Sequence, residues 1–427
     1  MGSLVSNLCT QAHDSRGPYD YQNEPLDATE TTEKPKHLGE PQSMPLKLKR
    51  VHESSDNLVK AVQANEAIKA KNLPKSRSNM DLGALQKEAK RQMRKMTEKD
   101  FVFHNILGVG GFGKVYLATK VENPEEAFAV KVISKSHFTQ KSVEQVLTEL
   151  KVLSLVSDRS CPFLTKMFCS FQSDHNVYFC LEFLPGGNLR NYLDKMKTFS
   201  KEITVFVAAE ILCGLQYLHE KLAIIHRDLK LENILVDHKG HCKLTDFGLS
   251  KIGNIQAYSF CGTYNYIAPE LIKQTGYNHM IDYWMLGCLI FEMLTGRPPF
   301  DHKNRKTLFD AINAGCYKLS MVQDADARDL ISKLLVLNPE KRLGQEGAES
   351  VKRHQFFSSV DWDKLSQRKY ESPLKSELSL NAANNDIVND PSCDEASGPC
   401  GKVLKGFSWV HTPREQHASS SSEEYQF

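Results

Sequence analysis

The sequence predicts an α+β fold of two unequal lobes, a small β-rich one followed by a larger helical one. The prediction rests on changes of texture along the chain. Short alternating apolar runs separated by glycine turns begin at Phe101, long helical patterns take over from about Ser200, and a Pro/Ser-punctuated tail follows Trp362. With 427 residues the chain exceeds one typical domain, so one large fold with appended segments is expected. The 54 Lys+Arg against 52 Asp+Glu leave a net charge of +2, which argues against a nucleic-acid partner held by phosphate neutralisation. A hydrophobic content of 41% suffices for a large core, and no uninterrupted apolar run approaches the roughly 20 residues of a membrane span. Eleven cysteines without CxxC spacing or a signal peptide fit a reducing, cytoplasmic setting, with most thiols as core filler and neither a disulfide framework nor a zinc site.

Taken in order, residues 1–100 read as a largely disordered extension, because Pro18, Pro25, Pro35, Pro41, Pro45 and Pro74 interrupt a polar, aromatic-poor sequence. Within it, 58–71 and 85–99 could form solvated helices, and Lys75-Ser76-Arg77-Ser78 reads as linker or as a basophilic phosphosite. Met1-Gly2-Ser3-Leu4-Val5-Ser6 fits N-myristoylation of Gly2, with Cys9 in reach of a second acyl chain and the basic 87–99 segment available to anionic lipid, a pattern of peripheral membrane contact whose alternative is an unmodified flexible end.

The next run, Gly108-Val109-Gly110-Gly111-Phe112-Gly113-Lys114-Val115, sets glycines between two apparent strands at 101–107 and 115–119. Such a hairpin can lay backbone N–H groups against phosphates, since no Cβ blocks the approach. A strand rather than a helix follows, which departs from a dinucleotide fingerprint. Lys131 sits in the apolar strand 128–133, where an ammonium needs partners; Glu149 in the following helical segment and phosphate oxygens could supply them.

Farther on come His226-Arg227-Asp228-Leu229-Lys230-Leu231-Glu232-Asn233, Asp246-Phe247-Gly248 and Ala268-Pro269-Glu270, in that order. Together with the glycine hairpin and Lys131 the set resembles the eukaryotic protein kinases. The resemblance implies a bilobal kinase domain at 101–356, ATP and Mg2+ as cofactors, and protein substrates. Lys131, oriented by Glu149, would hold the α/β-phosphates, and Asn233 and Asp246 would coordinate magnesium. Asp228 would take or orient the substrate hydroxyl proton, with Lys230 neutralising the moving phosphoryl group. Leu107, Gly108, Gly110, Gly111, Gly113, Lys114, Val115, Ala129, Glu182, Leu184 and Glu232 would complete the nucleotide site. Leu153, Met167, His226 and Phe247 resemble the family's stacked spine, Glu270 would pair with Arg342, and Asp282 and Trp284 would anchor the helical lobe.

Within the family the chain is most similar to the AGC group of Ser/Thr kinases. Lys230 marks a Ser/Thr enzyme, and Ser259-Phe260-Cys261-Gly262-Thr263 resembles the activation loop, with Ser259 as acceptor for an upstream kinase and Arg227 as partner of its phosphate. Residues 357–410 resemble the AGC tail. Within it Leu404-Lys405-Gly406-Phe407-Ser408-Trp409-Val410 resembles the hydrophobic motif, whose Phe407 and Trp409 would fill a groove beside the Glu149 helix, aided by phosphate on Ser408. That wording is nearest the ribosomal protein S6 kinase branch and its S6-kinase-related members. Residues 411–427 read as a disordered Ser-rich end, and a monomer is the default.

Three departures bear on function. Asn188 stands where basophilic AGC kinases place a glutamate that binds substrate arginine, although Glu232 and Glu292 fill the other acidic positions. Asp390-Pro391 replaces Ser-Pro at the turn motif, and Leu404 replaces an aromatic, which should weaken tail docking. The competing readings are a catalytically silent scaffold, against which the intact Lys131, Asp228 and Asp246 speak, and a small-molecule kinase, which leaves the tail unexplained.

Overall fold

A computed structural model describes residues 96–110, 113–136, 138–157, 161–253, 264–375 and 403–410. Gly2, Cys9, the 75–78 segment, Gly111, Ser259 and Asp390 lie outside the described residues.

The glycine-turned strands form a six-stranded antiparallel sheet in the order β1-β2-β3-β5-β4-β10. Its members are β1 (Phe101–Gly110), β2 (Gly113–Lys120), β3 (Asn123–Ser134), β4 (Met167–Gln172), β5 (Asn176–Glu182) and, from the far end of the chain, β10 (Trp409–Val410). The two-residue period divides the sheet into two faces. Phe128, Val130 and Val132 join Phe101, Phe103, Tyr116, Phe171 and Tyr178 in an outer cluster. Ile133, Val177, Phe179 and Leu181 face the principal core, which includes Val146, Leu150 and Leu153 of α1 (Gln140–Ser157). The expected helix at 85–99 does not extend through its described end. Instead Thr97 and Asp100 cap a single 3-10 turn, Glu98–Asp100, because their side chain and backbone groups bond each other locally.

Helices α2 (Leu189–Met196), α3 (Lys201–Gln216), α4 (Pro269–Lys273), α5 (Met280–Thr295), α6 (Arg305–Ala314), α7 (Ala325–Leu334), α8 (Ala348–Lys352) and α9 (Trp362–Ser366) follow, interrupted by the short ladders β6–β9 (Ile224–Ile225, Lys251–Ile252) and β7–β8 (Ile234–Val236, Cys242–Leu244). Helix α3 with its π turn, 201–221, is long and apolar enough to cross a membrane by length and composition, which the reading of interrupted apolar runs missed. It is 72% buried inside the protein and serves as a core helix. Its Glu210 is fully buried yet satisfied, accepting from His241 Nδ1 at 2.5 Å and Cys242 N at 2.7 Å. Cys161, Cys169, Cys180, Cys213, Cys242 and Cys288 are free and buried, as core filler should be, whereas Cys316 is disulfide-bonded.

The tail is tied down twice. Arg368 pairs with Asp237, and Ser372 Oγ donates to Gly240 O at 2.6 Å. Gly240 has φ +86°, and a Cβ there would lie 2.7 Å from Ser372 Oγ, so only glycine serves. At the other end Phe407 is completely buried, with its ring 5.3 Å from Phe179. Ser170 Oγ donates to Phe407 O at 2.6 Å, Leu404 exchanges hydrogen bonds with the Gln172 amide, and Trp409 and Val410 pair with Ser170 and Cys169 of β4. The segment therefore adds a strand to an open sheet edge as well as filling a groove. Ser408, between the two inward residues, is exposed.

Glu270 and Arg342 pair in bidentate fashion at 2.7 and 3.0 Å, and Arg342 also donates to Met280 O and Val336 O. Both residues are buried, so removing one strands the other's charge. Glu270→Ala should lower stability by about 3–5 kcal/mol in urea unfolding; a loss under about 1 kcal/mol would show the pair to be dispensable.

Candidate active site

Because Val130 and Val132 face outward, the intervening Lys131 is delivered to the inner face of β3, opposite Val115 of β2 and Phe179 of β5. There its Nζ lies 2.7 Å from Glu149 Oε1 of α1 and 3.1 Å from Asp246 Oδ1 of the helical lobe. Burial alone would depress the lysine, but the charges of Asp246 and Glu149 more than offset it and hold the ammonium above its usual pKa. The two carboxylates respond differently. Burial pushes Glu149 up against the pull of Lys131, whereas the charge of Lys131 holds the more exposed Asp246 below the ordinary carboxylate range.

Asp246 is placed by the β7–β8 ladder. Ile234 pairs with Leu244, and Thr245 N donates to Asn233 O at 3.0 Å, so Asn233 and Asp246 leave the same end of one hairpin side by side. Asn233 Nδ2 in turn donates to Asp228 O and Oδ2 at 2.8 and 2.9 Å, and Lys230 Nζ lies 2.9 Å from Asp228 Oδ2. Two polar clusters result, Glu149–Lys131–Asp246 and Asn233–Asp228–Lys230, brought together by the backbone of the β7–β8 hairpin.

The loop carrying Asp228 hangs from α5. Asp282, fully buried, accepts from His226 N and Arg227 N at 2.9 Å each and bonds His219 Nε2 at 2.7 Å. Burial by itself would raise the Asp282 pKa, and these donors reverse the effect. The loop and the Asp246 turn are strained, with φ of +71° at Arg227 and +60° at Asp246. Arg227 is pinned by bonds to Leu249 O, Ser250 O and Tyr277 Oη. His226 bonds Thr245 O at 3.1 Å and its ring lies 5.5 Å from Phe247, which shares one buried cluster with Leu153 and Met167.

The glycine hairpin separates two uses of glycine. At Gly113 a Cβ would stand 2.1 Å from Val132 O, so the strand packing demands glycine. At Gly108 and Gly110 a Cβ would meet no protein atom within 4 Å. Their small size answers to something approaching the hairpin, which fits phosphates. Ala129 shares the face of Lys131, whereas Leu107 and Lys114 stand along the hairpin near its turn. Among the described residues no group of three or more His, Cys, Asp or Glu could hold a metal. A cation at Asp246 and Asn233 must therefore bring further oxygen ligands, as a phosphate-bound magnesium does.

At the crossover, Glu182 turns its carboxylate away, accepting from Lys166 N at 2.8 Å and from Lys243 Nζ at 2.7 Å. Any contact of Glu182 with a nucleotide must come from its backbone. Leu184 is buried beside it.

The protein kinase domain family matches residues 101–357. The chain belongs to the protein kinase family. A probable serine/threonine-protein kinase of Dictyostelium discoideum is 36% identical over 375 residues, 84% of this chain and 81% of its own length. The human protein kinase C eta type is 40% identical over 300 residues, covering 68% of this chain, and the human ribosomal protein S6 kinase alpha-1 is 40% identical over 328 residues, covering 73%. This chain spans only 43% and 44% of those two proteins. These relatives place the chain in the AGC group. Protein kinases use ATP and Mg2+, which suits the glycine hairpin and the Asp246–Asn233 oxygens.

Sequence reasoning missed Arg190 of α2. Its Nε is 3.0 Å from Glu232 Oε1 and its Nη2 2.6 Å from Glu292 Oε1, contacts 42 and 102 residues apart in sequence that no local pattern signals. Asn188, singled out as a departure, caps α2 by accepting from Asn191 N at 3.1 Å.

Since the Lys131 charge is the largest influence on Asp246, Lys131→Met should let burial dominate and move the Asp246 pKa upward in an NMR titration of its carboxyl carbon. A carboxyl that stays low would assign the depression to another group.

Proposed function

We propose that the chain is an ATP- and Mg2+-dependent serine/threonine protein kinase, transferring the γ-phosphoryl group to protein hydroxyls. The carrying observation is the pair of polar clusters, Glu149–Lys131–Asp246 and Asn233–Asp228–Lys230, that the β7–β8 hairpin sets side by side. Phosphoryl transfer needs positioning and charge neutralisation more than covalent help, and these residues offer both. Lys131 grips the α/β-phosphates, with Glu149 fixing its direction. Asp246 and the Asn233 amide oxygen would hold a magnesium ion, which would neutralise phosphate charge there. Asp228 orients the acceptor hydroxyl and takes its proton, and Lys230, already beside Asp228, balances the charge that moves toward the acceptor.

Phosphate on Ser259 and on Ser408 would act as switches. Arg227 is bonded to the backbone at Leu249 and Ser250, which lead toward the Ser259 loop, and Ser408 is exposed between the docked Phe407 and Trp409.

Asp228→Asn retains shape and both neighbours yet removes the proton acceptor. It should fold normally and lose at least about 100-fold in kcat, measured by radiolabelled phosphate transfer from ATP to a peptide library. Full activity in that variant would overturn the role given to Asp228.

A further inference from the structure

The acidic side chains beside the catalytic loop are already occupied. Glu232 belongs to the same loop as Asp228 and Lys230, and Glu292 projects from α5, almost wholly buried. In a kinase that reads basic substrates, such carboxylates would meet a guanidinium from the peptide. Here the guanidinium comes from the chain itself. Arg190 donates through Nε to Glu232 and through Nη2 to Glu292, and its Nη1 is 3.9 Å from Asp194 Oδ1. The second oxygen of Glu292 accepts from Tyr266 Oη. Both Glu292 oxygens are therefore used within the protein, and the planar fork of Arg190 spans the pair in the way a substrate arginine would.

We infer that Arg190 is a built-in occupant of the acidic substrate subsite, so that this kinase does not select phosphoacceptor sequences by upstream arginine. The inference rests on the kinase reading above and adds its substrate class. An incoming arginine must displace a tethered one that never diffuses away, so its charge brings little net gain. Asn188 contributes in the same direction, since its side chain is uncharged and engaged in capping α2. Arg190 stands two residues after that cap, in the first turn of α2, so its guanidinium reaches the two glutamates from a helix. The substrates that fit are peptides with uncharged or apolar residues before the acceptor Ser or Thr.

The test uses the full chain and peptides carrying alanine at the acceptor position, so that no turnover is required. One series bears arginine at each upstream position in turn, and its twin bears glutamine. Binding is read by fluorescence anisotropy. The wild type should bind the two series within about threefold. Arg190→Gln, which keeps a donor for Glu292 but loses the charge, should favour the arginine series by about tenfold more than the wild type does. Arg190→Gln with Glu232→Gln should return to the wild-type ratio. If Arg190→Gln does not fold, Arg190→Leu takes its place. A tenfold arginine preference in the wild type, or no gain of preference in the folded variant, including no binding at all, would overturn the inference. A chain that shows the expected ratios yet transfers no phosphate in the presence of ATP and magnesium would refute the kinase reading alone.

Discussion

One ammonium joins the two lobes. Lys131 leaves the inner face of the small sheet and is shared between Glu149, on the helix packed under that sheet, and Asp246, on a hairpin of the helical lobe. Burial works against all three charges, and each is favoured by its opposite neighbour. The position of every other polar group in the site follows from this arrangement. The β7–β8 hairpin places Asp246 and Asn233 side by side, Asn233 bonds Asp228, and Asp282 holds the loop that carries Asp228.

The large lobe makes the arrangement rigid. Buried carboxylates that would be costly alone are saturated by several donors each, as Asp282 is by His219, His226 and Arg227, Glu210 by His241 and Cys242, and Glu270 by Arg342. This saturation lets the loop tolerate left-handed backbone at Arg227 and Asp246, a strain of order 1–3 kcal/mol each. The C-terminal segment extends the same framework, because β10 completes the sheet edge while Phe407 enters the core next to Phe179.

Much of this was legible in the sequence. The α+β class followed from the switch between periods, and the positions of Lys131, Asp228 and Asp246 followed from motifs whose residues are close in sequence to the turns that aim them. The Glu270–Arg342 pair was implied by family resemblance and is present. What could not be read was long-range and side-chain specific. The engagement of the Glu182 carboxylate by Lys243, 61 residues away, had no local signal. Arg190 gave no signal, since its partners come from two other elements and its own helix is short and polar. The span-length helix at 201–221 was overlooked because its charged residues interrupt the run, although folding buries Glu210 with a partner.

The central claim is that Lys131 and Asp246 act as one unit in receiving a magnesium-bound nucleotide. Calorimetric titration with MgATP of the wild type, Lys131→Met, Asp246→Asn and the double variant tests it most directly. The account predicts that the wild type binds, that each single change weakens binding, and that the double change costs less than the two singles together by more than about 0.5 kcal/mol. Strictly additive losses, or a wild type that does not bind MgATP, would contradict it.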